Sequence, residues 1–193
     1  MEVLWENLYH IFGKIYVPKI LNNSKALIHI SDTPSYIYSS IIKMVKKIKP
    51  SIVIHTGDIA DDVKLELNPY LVNIYKKEAD NFLNALSKFA DLIVIVPGNH
   101  DNISVLDLKS NVKVIREGDI FLYEGLKLGL AHKFENLPKN CDFYLYGHDK
   151  RIFDLTYLNG IYYINIFYKN NVIKLYYPIG TDSYRFKISK IGK

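Results

Sequence analysis

A chain of 193 residues holds one full-sized domain and is too short for two comfortable ones. Its 49% hydrophobic and 23% charged residues are ordinary for a globular protein that buries a core. The formal charge of +5 suits a phosphate-bearing partner without requiring one, while the single cysteine, Cys141, excludes an internal disulfide and points to a reducing cytoplasm.

Glu2, Glu6 and Lys14 interrupt the amino terminus, so neither a secretion signal nor a membrane span is expected there. Leu4, Leu8, Ile11 and Ile15 recur at helical spacing and predict a short amphipathic helix. Residues 1–26 therefore read as a helical extension and 27–193 as a single domain. Leu27 to Ser31 reads as a first strand ending in Asp32-Thr33-Pro34. Ser35 is then expected to cap a helix with Ile37, Ile41, Met44, Val45 and Ile48 on one apolar face, stopped by Pro50. A second strand, Ile52 to His55, leads into Gly57-Asp58. Asn68-Pro69 opens a longer helix with Leu71, Tyr75, Phe82, Leu83 and Leu86 inward. The third strand, Leu92 to Val96, ends at Gly98-Asn99-His100-Asp101.

The rhythm then changes to short strands, at Val112 to Ile115, Ile120 to Tyr123, Leu126 to Ala131 and Phe143 to Tyr146. Ile161 to Phe167 and Val172 to Tyr177 follow, joined by the turn-like Lys169-Asn170-Asn171. No linker, repeat or low-complexity tract divides the chain, so two facing sheets with helices outside are expected. The carboxyl-terminal Arg185, Lys187, Lys190 and Lys193 alternate with Tyr184, Phe186 and Ile188, which reads as an edge strand guarded by lysines.

Ligand-type residues collect where strands end, and open α/β sheets build their sites at the carboxyl ends of strands. Asp58 offers two oxygens that can bridge two ions, and Asn99 a neutral amide oxygen. His132 and His148 each close a strand and offer imidazole nitrogens. His100 could donate a proton to a leaving oxygen, with Asp101 orienting it and favouring its cationic form. A metal that activates water for attack on phosphorus needs this kind of oxygen and imidazole set.

These strings resemble the calcineurin-like metallophosphoesterase family. That family is marked, in order, by Asp-x-His, Gly-Asp-x-x-Asp, Gly-Asn-His-Asp (or Glu), a lone His, and Gly-His-x-His. They align here with Asp32-Thr33-Pro34, Gly57 to Asp61, Gly98 to Asp101, His132, and Gly147-His148-Asp149-Lys150. The resemblance implies a four-layer α/β/β/α sandwich of two mixed sheets. It also implies a site for one or two divalent ions (manganese, iron or zinc) that hydrolyses a phosphomonoester or phosphodiester through metal-activated water. Two departures fall together: the first-motif His is Pro34 and the final His is Lys150. By carry-over, the first metal position keeps only Asp32 and the shared Asp58, whereas the second keeps Asp58, Asn99, His132 and His148.

Lys150 is thus a candidate to pair with Asp32 and replace an ion by a single positive charge. Asp149, Asp61 and His55 are alternative replacement ligands, His55 the weakest because a strand residue so placed can face the other side. The readings kept open are three. They are a metal-dependent phosphoesterase with a degenerate first position, a non-catalytic metal-binding scaffold, and a nuclease or nucleic-acid-binding protein, the last not favoured. Substrate and oligomeric state are not legible in the sequence.

Overall fold

Short runs of β-branched and large aliphatic residues cannot remain in water, and here they assemble as parallel strands buried on both faces. The computed structural model describes residues 9–185. β1 (Leu27–Ile30), β2 (Ile52–His55) and β3 (Leu92–Ile95) run parallel at the centre of a six-stranded sheet. β4 (Val112–Val114) extends it in parallel on one side. β9 (Ile164–Tyr168) and β10 (Asn171–Leu175) extend it antiparallel on the other, giving the order β10-β9-β1-β2-β3-β4. Lys169 and Asn170 both have positive φ, the conformation that matches a two-residue hairpin to strand twist.

The second sheet is built from β5 (Ile120–Tyr123), β6 (Leu126–Leu130), β7 (Phe143–Tyr146) and β8 (Tyr157–Asn159), in that order. β5 pairs antiparallel with β6, and β6, β7 and β8 are mutually parallel. β8 has no counterpart among the predicted strands, because three residues bounded by polar turns leave no readable period. The sheets face each other through Leu27, Ile54, Val94 and Val96 on one side and Leu128, Leu130, Leu145 and Leu158 on the other.

The outer face of the large sheet is covered by α1 (Tyr38–Ile48) and α2 (Val72–Leu86). Ile41, Met44, Val45 and Ile48 are buried along α1, as are Tyr75, Ala79, Phe82, Leu83 and Leu86 along α2, a helical period in each case. The Tyr38 and Phe82 rings stack at 4.0 Å and join the two helices. Each helix is led in by a 3-10 turn, Ser35–Ile37 and Pro69–Leu71. Ser35 is therefore not the expected cap. It sits inside the turn, and its backbone N–H and hydroxyl both donate to the Asp62 carboxylate.

On the outer face of the small sheet the layer is thin. The one-turn 3-10 helix Phe134–Asn136 brings Phe134 against Tyr146 and Tyr157, and Pro138 lies over Gly129. Of the predicted amino-terminal helix, Leu4 and Leu8 lie outside the described residues. Residues 9–11 are helical and Ile11 is exposed. Ile15 lies beyond that helix and is buried with Val17 and Leu21 in the core between the large sheet and its helices. The predicted carboxyl-terminal strand is corrected at its start, since Thr181–Arg185 form a short helix, α3. Lys187, Lys190 and Lys193 lie outside the described residues. Among the described residues no helix is long and apolar enough to cross a membrane.

Candidate metal centre

Five parallel strands deliver their following residues to one edge, and three of those residues sit in an uncommon backbone conformation. Asp32 (φ 49°), Asp58 (φ 57°) and His148 (φ 65°) all occupy the left-handed region. L-residues with side chains avoid it at a cost of about 1 kcal/mol or more, and such outliers cluster at functional sites. The neighbouring glycines allow the close approach. A Cβ at Gly98 would collide with the Asp58 carboxylate, and one at Gly147 with Ser31 Oγ and Asp32 Oδ2. Both motif glycines leave room for groups that a side chain would displace, the Asp58 carboxylate and backbone nitrogen at Gly98 and the Ser31 and Asp32 side chains at Gly147.

The four residues assigned to the second metal position come together. His132 Nε2 lies 3.1 Å from Asn99 Oδ1, 3.1 Å from His148 Nδ1 and 3.5 Å from Asp58 Oδ2. Ligands about 2.1 Å from one ion stand roughly 3.0–3.4 Å apart for octahedral to tetrahedral angles. These separations therefore fit a shared divalent cation. Three of the side chains are also held with the correct atom inward. His132 Nδ1 lies 2.8 Å from the Thr56 carbonyl, so that nitrogen carries the proton and Nε2 keeps its lone pair. Asn99 Nδ2 donates to Glu66 Oε2 at 2.5 Å, which turns the amide oxygen toward His132. The His100 backbone N–H donates to Asp58 Oδ1 at 3.0 Å. Burial, followed by the charges of Asp32, Asp101 and Asp61, pushes the Asp58 carboxyl well above its ordinary range. Such crowding of acids calls for a cation.

The first position is different. Asp32 is buried, and its Oδ2 accepts hydrogen bonds from Ser31 Oγ at 2.6 Å and from the His148 N–H at 3.1 Å. Pro34 follows it in extended conformation and offers no side-chain donor. Lys150 is half exposed and its ammonium lies 3.8 Å from Asp182 Oδ2, an ion pair with α3 that the sequence reading did not foresee. The buried cation in this region is Arg185. Its guanidinium donates to the backbone carbonyls of Asp32 (2.7 Å), Ser31 (3.1 Å) and Ile161, and it stacks over Tyr177. Arg185 was expected among the basic residues of an edge strand. It is instead 4% exposed and unavailable to a polyanion.

Two further expectations are corrected. Asp101 was expected to orient His100. Its carboxylate instead accepts from the backbone N–H groups of Asp58, Ile59 and Gly98 and from the Tyr75 hydroxyl, tying two motif loops to α2. His100 was expected to be favoured as a cation, yet burial, with the Lys64 charge second, lowers it to about 4 and leaves it neutral near pH 7. His55 points away from the centre, with Nε2 2.8 Å from Thr33 Oγ1 and Nδ1 accepting from the Gly57 N–H. Asp149 pairs with Arg151. Glu66 and Arg185 escaped sequence reasoning because neither lies in a motif, and only the folded chain brings them to the site.

A cluster of carboxylate, amide and imidazole side chains at the strand ends of two opposed sheets could hold a divalent metal, as in a metallophosphoesterase. A family model for calcineurin-like phosphoesterases matches residues 26–183, and the chain belongs to that family. Members are generally phosphoesterases that bind divalent metals. No curated protein matches the chain. Among solved structures, vacuolar protein sorting 29 from Cryptosporidium parvum is similar at 16% identity with a TM-score of 0.45. The match covers 79% of this chain and 98% of that one.

Proposed function

We propose that this protein is a metal-dependent phosphoesterase working chiefly through the second metal position, with Asp58, Asn99, His132 and His148 as the ion's ligands. The observation that carries this reading is the convergence of Asn99 Oδ1, His148 Nδ1 and Asp58 Oδ2 on His132 Nε2 within 3.1–3.5 Å. A divalent ion held there (manganese, iron or zinc) would polarise a phosphoryl oxygen and acidify a water. The chain's own part is orientation. Thr56 fixes the His132 tautomer, Glu66 fixes the Asn99 amide, and Asp101 locks the two loops that carry Asp58 and Asn99. Because His100 is neutral near pH 7, it is a poor standing acid, and leaving groups that need no protonation are the substrates to try first.

The test is hydrolysis of an aryl phosphomonoester and an aryl phosphodiester across a manganese titration, with Asn99→Ala in parallel. We expect manganese-dependent turnover that drops by about two orders of magnitude or more in the variant. Folded wild-type protein that shows no turnover above the variant at millimolar manganese would overturn the enzyme reading.

A non-catalytic scaffold is the second reading. Its support is the ligand-poor first position and the exposed apolar side chains Ile152, Phe153 and Leu155 on the loop that follows His148.

A further inference from the structure

The inference concerns a third group of ligands that shares Asp58. Asp58, Asp61 and His100 each present one ligand atom, and these atoms lie within 4.8 Å of one another. All three residues are buried, at 2%, 0% and 9% exposure. Two atoms of this cluster are buried without a hydrogen-bond partner, Asp61 Oδ2 and His100 Nδ1. A buried polar atom left unmatched is costly, and native structures contain few of them. Two such atoms on residues of one cluster, both of types that ligate metals, point to a cation there.

We propose that Asp58, Asp61 and His100 form an additional divalent-cation position, displaced from the one that Pro34 and Lys150 have stripped. The inference shares Asp58 with the reading above and rests on it. The vacated side is already compensated, since the Arg185 guanidinium occupies the Ser31 and Asp32 carbonyls and Asp32 Oδ2 is doubly hydrogen-bonded. The displaced side keeps free ligand capacity. Lys64 contacts only the other oxygen of Asp61, Oδ1, and leaves Oδ2 to an ion. Glu66 Oε2 stands 3.7 Å from His100 Nδ1 and borders the position from the solvent side. Oxygen ligands with one imidazole suit manganese, zinc or ferrous iron.

The experiment is manganese binding to the full chain by calorimetry and elemental analysis, with low-temperature paramagnetic resonance on the same samples. Wild type is compared with Asp61→Asn, His100→Ala and His148→Ala, each checked for folding by circular dichroism. The expected result is about two manganese ions per chain and an exchange-coupled signal in wild type, because both ions share one carboxylate. Asp61→Asn and His100→Ala are each expected to bind about one ion, with an uncoupled signal and roughly unchanged affinity at the remaining position. If Asp61→Asn does not fold, His100→Ala carries the comparison. One ion in wild type that persists in His100→Ala and is lost in His148→Ala would overturn the displaced position while leaving the reading above intact. Two ions retained in both the Asp61 and His100 variants would also overturn it. No binding by wild type would overturn both.

Discussion

His29 and His55 are fully buried beneath the centre, and their hydrogen bonds leave room for only the neutral imidazole. His29 Nδ1 faces the Asn165 amide nitrogen at 3.1 Å, so it must accept, and Nε2–H donates to Thr56 Oγ1 at 2.9 Å. His55 Nδ1 accepts from the Gly57 N–H, and Nε2–H donates to Thr33 Oγ1, which passes its own proton to the Ile59 carbonyl. Protonating either Nδ1 would set one N–H against another and place a charge in the core. Both are accordingly lowered to about 3 by burial, which at His55 outweighs the opposing pull of the Asp32 charge. A folded pKa below the unfolded 6.5 means the unfolded chain gains the proton first. The stability from each neutral histidine is present above pH 6.5 and is lost as pH falls from there toward 3. Between pH 7 and pH 5 this amounts to roughly 2 kcal/mol per histidine. Asp61, pushed up to about 7 by burial and by the Asp32 charge, acts with the opposite sign over the same range, so variants must be compared with wild type. Urea unfolding with chelator present, at pH 7 and pH 5, should show wild type losing about 2 kcal/mol more than His29→Gln, and likewise more than His55→Gln. Equal pH dependence in wild type and variants, or a His29 or His55 imidazole resonance titrating near 6.5, would refute the reasoning.

Gly98→Ala places a methyl group against the Asp58 carboxylate and backbone nitrogen. It is expected to destabilise the fold by about 1–3 kcal/mol and weaken manganese binding by roughly tenfold or more, measured by denaturation and calorimetry; an unchanged affinity would show that Asp58 is not a ligand. Arg185→Met strips the guanidinium from the carbonyls of Ser31, Asp32 and Ile161 and is expected to cost about 3 kcal/mol in urea unfolding, a loss under about 1 kcal/mol contradicting its assigned role.

The alternation of buried strand and helical period was legible in the chain itself. Ile52–His55 and Phe143–Tyr146 form where they were predicted, because short, mostly apolar runs between polar stops have few alternatives to a core strand. The candidate ligand residues were legible for a related reason. The strings Gly57-Asp58 and Gly98-Asn99 follow such strands after one or two intervening residues, and a strand end restricts where the next residues point. Register within the predicted strand Ile161 to Phe167 was not legible, since β9 begins only at Ile164, after Asn159 and Arg185 have claimed the Ile161 backbone.

What lay beyond the sequence is what depends on contacts distant along the chain. Lys150 was the cation in view beside Asp32, yet it pairs with Asp182, while a buried arginine from α3 reaches the β1 terminus. Asp101 looked like a partner for its neighbour His100, yet backbone N–H groups more than 40 residues away claim its carboxylate. Local spacing determined which chemistry is present, because strand, turn and glycine requirements act within a few residues. Only the tertiary structure decided which charge meets which, because electrostatic pairing follows distance in space and burial, and neither is encoded at short range.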